Sequence, residues 1–392
     1  MNTEPTHPLL EAVRQLGPAV TAAATQTEKG GCIAPDLAAA LTDTGVFQMY
    51  LPADLGGHEV TPMVGFEIGE ELARRDGSVG WCAQVAAAVA VFLAWLDPEE
   101  LARMREMTPD PLHVAGSARP LGAAVAVDGG YRVSGHWNFS SGVRHANWFL
   151  ATSFEEQADG SQRPRSMLVP VGEGQIVDNW TVMGMRGTGS DDFVLDDVFV
   201  PHARVGSRRW VLQRPEPLYD PRLMMIAAWA PAAGVANGLA RGAIDALVEL
   251  GDQTSAGSSQ RLSERPAVQA AVGEAESITS ATRAFSIDAI AAAWRAHLDD
   301  SADLGRCVAR AQLAITHSFN EAVRVADICF HAAGTNAISS ANRLERFLRD
   351  AHTAVMHAAG QPIHRQVAGR VLLGLPAGEL DPNRDGPSTP RS

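Results

Sequence analysis

Between residues 112 and 210 the chain reads as short β-strands, and on both sides its apolar residues recur at helical spacing. Residues 114–116 and 123–127 begin the strand set. Asp128-Gly129-Gly130 is a hairpin signal, and residues 131–135 return from it. Residues 148–152, 166–170, 176–181 and 193–200 complete six or seven strands separated by turn residues. The expected architecture is α+β. An N-terminal helical domain takes residues 1–111, a middle β-barrel or sandwich 112–210, and a C-terminal antiparallel four-helix bundle 211–376. Residues 377–392 are rich in proline and charge and read as a disordered tail.

Leu9, Val13, Leu16 and Val20 mark a first helix, and Pro35 opens a second. Thr61-Pro62 opens a third, which Asp76-Gly77-Ser78 breaks. The most apolar window follows, residues 79–96. It is near the length of a membrane span, but Gln84 interrupts it and Asp97-Pro98-Glu99-Glu100 closes it, so it reads as a buried helix. Residues 98–107 form another. After the strands, residues 224–250, 266–298, 302–332 and 342–357 read as helices, with a flexible loop over 251–259.

With 392 residues, 46% of them hydrophobic and 20% charged, the chain has material for two or three packed domains. A net charge of −13 argues against a nucleic-acid partner, which requires a basic surface. Cys32, Cys82, Cys307 and Cys329 are scattered, with no metal-ligand spacing, and read as reduced core thiols of a cytoplasmic protein. No basic segment followed by an apolar run marks a signal peptide at the start.

Four stretches carry possible chemistry. Residues 182–201, VMGMRGTGSDDFVLDDVFVP, join a turn holding Gly184, Gly187, Gly189 and Arg186 to an alternating strand. That turn is either one wall of a ligand site or a bend that needs glycine. Its glycine spacing is wrong for a dinucleotide turn, and no phosphate loop, zinc-protease or nucleophile-elbow motif occurs elsewhere. Trp137-Asn138-Phe139-Ser140-Ser141-Gly142 sets two hydroxyls at a strand end, as the polar edge of a heteroaromatic site or as a plain turn. His357, sharing a helical face with Asp350 and Ala354, is a general base or else a capping or surface histidine. Arg343, Arg346 and Arg349 form either an anion clamp or a solvated helix face.

In this order, Gly77-Ser78-Val79-Gly80-Trp81, residues 135–142 with His145-Ala146-Asn147-Trp148, residues 184–201, Ala332-Ala333-Gly334-Thr335, and residues 343–350 with His357 resemble the acyl-CoA dehydrogenase fold. The likeness spans most of residues 30–375. It is nearest to the branch of flavin-dependent monooxygenases that serve as oxygenase components of two-component hydroxylases.

The resemblance implies reduced FAD or FMN as cofactor and O2 as co-substrate. The reaction it implies is hydroxylation of an aromatic or polycyclic small molecule through a flavin C4a-hydroperoxide. It also implies a separate flavin reductase as partner and a homotetramer in which a neighbouring subunit completes the cofactor site. Ser140 and Ser141 match positions along the flavin ring, Gly334 and Thr335 a loop near the pyrophosphate, and Trp81 the pocket wall. His357 matches a histidine beside the reacting edge of the ring, and with Ser141 it is the expected catalytic pair. Arg186 reads as structural. Two departures stand out. Ala358-Ala359-Gly360-Gln361-Pro362 offers no glutamate where dehydrogenases keep their base. Val89 stands where many hydroxylases carry a second histidine. The alternatives are a dehydrogenase or desaturase acting on a non-thioester substrate, or a non-catalytic flavin-binding homologue.

Overall fold

Prolines and capping side chains start the helices that precede the sheet. Helix α1 (Pro8–Gly30) is capped by His7 and ends where Gly31 turns left-handed at φ 69°. Helix α2 (Pro35–Thr44) ends the same way at Gly45. The Thr61 hydroxyl caps α3 (Pro62–Arg75), and Asp76 caps α4 (Gly77–Ala90), accepting the Val79 N–H. Asp97 caps α5 (Pro98–Met107). These elements belong to a computed structural model describing residues 6–108, 110–206, 216–254, 259–340 and 342–377. The expected tail lies outside the described residues, except at residue 377, as does residues 255–258 of the expected 251–259 loop.

The apolar window 79–96 is α4 followed by a 3-10 turn, Val91–Trp95. It lies inside the protein. Only Trp81, Val85, Ala88 and Phe92 escape full burial. Their spacing of four, three and four residues puts them on one helical stripe.

Among the described residues the strands form one mixed sheet of seven in the order β5-β6-β2-β1-β3-β4-β7. They are β1 (Val114–Val127), β2 (Gly130–Trp137), β3 (Trp148–Glu156), β4 (Gln162–Pro170), β5 (Gln175–Val177), β6 (Asp192–Pro201) and β7 (Val205–Gly206). The two strands expected over 114–127 are a single strand whose register slips between Ser117 and Gly122. Pro120 sits in the slipped segment, where no ladder hydrogen bond is required of it. The hairpin falls where expected, with Val127 facing Gly130. Trp137, Phe149 and Phe193 meet in the sheet's own core.

Helices α6 (Met224–Glu249), α7 (Pro266–Leu298) and α8 (Leu304–Ala333) make the bundle, with α9 (Arg343–Ala354) and α10 (Ile363–Leu372) against α8. Helices α7 and α8 run antiparallel. Arg324 pairs with Glu274, Ser318 meets Ser286, and Arg310 pairs with Asp288.

Helix α3 lies against α6 with almost no side chain between them. Gly65 and Gly69 face Pro231, while Gly234 and Gly238 face the backbone of Phe66 and Glu70. A Cβ at Gly234 would fall inside the radius of the Phe66 carbonyl oxygen. Gly234→Ala is therefore expected to destabilise the protein by at least about 1–3 kcal/mol, the cost of overpacking a core. A lower denaturant midpoint at unchanged slope checks it.

Candidate active site

The Gly-rich turn after β5 is where all three regions meet. Met185 and Gly189 adopt left-handed backbone at φ 55° and 51°. Gly184 packs on the Arg349 carbonyl of α9, and Gly187 packs on Thr27 of α1 and Ser78 of α4. No Cβ fits at either place. The Met185 N–H donates to Asp350 Oδ1 at 2.5 Å, and the Gly187 N–H to Ser78 Oγ at 3.1 Å. Arg186 is exposed. It holds the Val182 carbonyl and lies 3.5 Å from Glu28, as a structural residue would.

Asp350 is buried, and burial followed by repulsion from Asp76 pushes its carboxyl up to about 7. Asp76 is pushed up as well, chiefly by burial. Arg346 lies 3.7 Å from Asp76 and holds Glu28 at 2.9 Å, and Arg349 holds Glu28 at 2.6 Å. Neither expectation for the arginine run holds. Arg346 and Arg349 are an internal ionic strap from α9 to α1, and Arg343 pairs with Glu249 of α6.

The Ser140–Ser141 loop sits on the same turn. Ser140 is fully buried. Its hydroxyl donates to the Trp137 carbonyl and its N–H to the Asp191 carbonyl. Within one chain Ser140 has no free surface and serves the loop's shape. Ser141 differs. Its hydroxyl lies 2.6 Å from Ser190 Oγ, Ser190 Oγ lies 2.6 Å from Thr188 Oγ1, and Thr188 Oγ1 donates to the Met185 carbonyl at 2.9 Å. The Cys82 thiol reaches the Thr188 carbonyl, so this chain of hydroxyls lies against the first turns of α4.

One residue before Cys82, Trp81 packs edge-on against His357, ring centres 5.1 Å apart. Trp229 of α6 and Phe319 of α8 complete the surround at 6.3 and 6.2 Å. His357 does not continue α9, as its sequence suggested. The helix ends at Ala354, and His357 caps the 3-10 turn Ala358–Gly360, its Nδ1 accepting the Ala359 N–H at 3.2 Å. Part of the residue reaches solvent, yet burial of the ring, aided by His364, lowers its pKa to about 4. At neutral pH the ring is uncharged. With Nδ1 accepting, its proton sits on Nε2. His364, on α10, donates from Nε2 to the Ala358 carbonyl and packs on Trp229. Val89 is buried, beside the half-open stripe.

Gly334 and Thr335 stand apart from this cluster. They end α8 on the surface. The Ala359 carbonyl is held by Thr316, 18 residues earlier on the same helix, so about 27 Å of α8 separates the two places. Within one chain they do not meet His357.

Residues 230–362 match the model for the acyl-CoA dehydrogenase C-terminal domain. The oxygenase subunit HsaA of a flavin-dependent monooxygenase from Mycobacterium tuberculosis is 32% identical, over 95% of this chain and 96% of its own. The chain belongs to the oxygenase subunits of flavin-dependent monooxygenases. This oxygenase subunit is equally similar to the oxygenase component of the FADH2-dependent resorcinol hydroxylase of a Rhizobium strain, 32% over 95% and 96% of the two chains. Its fold superposes on XiaF from Streptomyces, solved with FADH2 and glycerol, at a TM-score of 0.85 and 25% identity, covering 94% and 95% of the two chains.

Sequence reasoning missed Trp229, His364 and Asp191 around this candidate site, and it gave Asp350 no partner. Trp229 and His364 lie on helices whose sequences show only apolar periodicity. Asp350 was placed on a helical face without its partner. Asp191 is buried with its carboxylate against Arg144 at 2.6 Å and its carbonyl on Ser140. The adjacent aspartates of the 182–201 stretch were the one available signal for it.

Proposed function

We propose that this oxygenase subunit takes reduced FAD, or FMN, and uses O2 to hydroxylate an aromatic or polycyclic small molecule. The observation that carries the reading is the aromatic surround of His357 by Trp81, Trp229 and Phe319, with the partly exposed stripe Val85, Ala88 and Phe92 running on from Trp81 and the Ser141 hydroxyl chain against the first turns of α4. Those residues fit a flat ring with one polar edge. The walls are apolar and aromatic, the Ser141 hydroxyl keeps unused lone pairs, and Asn138 Oδ1 and His364 Nδ1 are buried acceptors without a partner.

Reduced flavin, when bound, supplies the electrons that activate O2. The protein's part is position and shielding. Val85, Ala88 and Phe92 keep water from the ring face. His357, neutral and protonated on Nε2, gives a hydrogen bond to a developing negative charge, a donor's role in place of a base's. Serving as base at Nε2 would require the other tautomer and the loss of the Ala359 cap. Ser141 accepts from the ring edge.

The absence of a nicotinamide-binding motif supports a separate reductase as the source of reduced flavin. The distance of Gly334 and Thr335 from His357 supports a homotetramer in which a second copy brings them to the cofactor. The cytoplasm is the expected location.

Anaerobic titration with reduced FAD and with reduced FMN tests the reading. One of them should quench tryptophan emission, through Trp81 and Trp229, and saturate at micromolar concentration. No quenching and no retained flavin with either would contradict it.

A further inference from the structure

The hydroxyls of Ser141, Ser190 and Thr188 form a chain with a fixed direction. The Met185 carbonyl can only accept, so the Thr188 hydroxyl, 2.9 Å away, must donate to it. With its one proton committed, Thr188 receives from Ser190 across 2.6 Å. Ser190 has then used its proton and receives from Ser141 across 2.6 Å. All three residues are buried, Ser141 at 5%, Ser190 at 3% and Thr188 at 0% exposure, so water does not compete for these bonds. The Met185 carbonyl is itself fixed, because the Trp180 indole N–H and the Thr188 backbone N–H also donate to it. Ser141 is left with lone pairs only. It accepts from a ligand and cannot donate.

We infer that Thr188 and Ser190 are positioning residues that make Ser141 a one-way acceptor, and that this selects the reduced over the oxidised flavin. Two-electron reduction puts a hydrogen on a ring nitrogen that is a bare acceptor in the oxidised ring. A lone-pair-only serine accepts from that N–H and repels the bare nitrogen. Reversing Ser141 to greet the oxidised ring breaks the bond to Ser190 or turns the whole chain against the carbonyl. The selection therefore lies in the direction of the chain, beyond the hydroxyl itself. The inference rests on the proposed flavin site.

The test compares dissociation constants of reduced FAD, titrated anaerobically, and oxidised FAD. Wild type should favour the reduced form. Thr188→Val, which keeps shape and removes the terminal donor, should cut the ratio about tenfold, the effect of about 1.4 kcal/mol. The bound flavin's midpoint potential should fall by about 30 mV. Thr188→Ser should restore both. Should Thr188→Val fail to fold, Ser190→Ala frees the Ser141 proton and should produce the same loss. An unchanged ratio in a folded Thr188→Val or Ser190→Ala protein overturns the inference, as does a wild type that binds both forms equally. Wild type that binds neither form shows that the flavin reading itself has failed.

Discussion

His357→Ala is expected to slow the oxidation of bound reduced FAD about 100-fold relative to wild type in a single turnover against air-saturated buffer. Removing one preorganised donor to a developing anion costs about 10²–10³ in the step it supports. His357 is such a donor by geometry. Its Nδ1 is tied to the Ala359 N–H, and its ring is held between Trp81, Trp229 and Phe319. His357→Asn separates donation from mere packing. Asparagine is a strong N-cap and keeps a side-chain N–H, so it should recover most of the lost rate. The lowered pKa of about 4 adds a pH signature. Between pH 5.5 and 8.5 the ring stays neutral, and the oxidation rate should show no ionisation near the ordinary histidine value. A limb near pH 6.5 that vanishes in His357→Ala would assign the base role instead.

Asp350→Asn should make the protein more stable at pH 8 and leave it unchanged at pH 4. The carboxyl titrates at 3.8 in the unfolded chain and at about 7 when folded, chiefly through burial. A raised carboxyl favours the folded state only while protonated. Its contribution is full below pH 3.8, declines as pH rises, and is gone above about 7. The distance between the two values corresponds to up to about 4 kcal/mol. Asparagine keeps an acceptor for the Met185 N–H without the buried charge. The stability difference between the two proteins, from urea unfolding, should grow from pH 4 to 7 and then level off. Asp350→Leu is the contrasting case. It leaves the Met185 N–H unpaired at the centre of the turn, which costs about 1–3 kcal/mol. Asp350→Asn that is less stable than wild type at pH 8 would contradict this account.

What the sequence made legible was punctuation. Pro62, Pro98 and Pro266 open the helices where they were read, and Asp128-Gly129 marks the hairpin. Elsewhere the pattern misled. Residues 114–116 and 123–127 read as two strands, but a register slip carries one strand through Pro120. His357 was read as helical because nothing after Ala354 signals a stop before Gly360. The site's electrostatics were hidden for a different reason. Arg346 finds Glu28 across 318 positions, Met185 finds Asp350 across 165, and Ser141 finds Ser190 across 49. No local pattern encodes such pairings. The arginine run therefore looked like a clamp or a surface, and the direction of the hydroxyl chain could not be seen at all.

The most direct test of the oxygenase reading mixes the wild-type complex with reduced FAD against air-saturated buffer in a stopped-flow spectrometer. The aromatic surround of His357 by Trp81 and Trp229 predicts two phases, with a species that matches neither reduced nor oxidised FAD forming first and decaying slowly. A single-phase return to oxidised FAD, at the rate of free flavin, would contradict it.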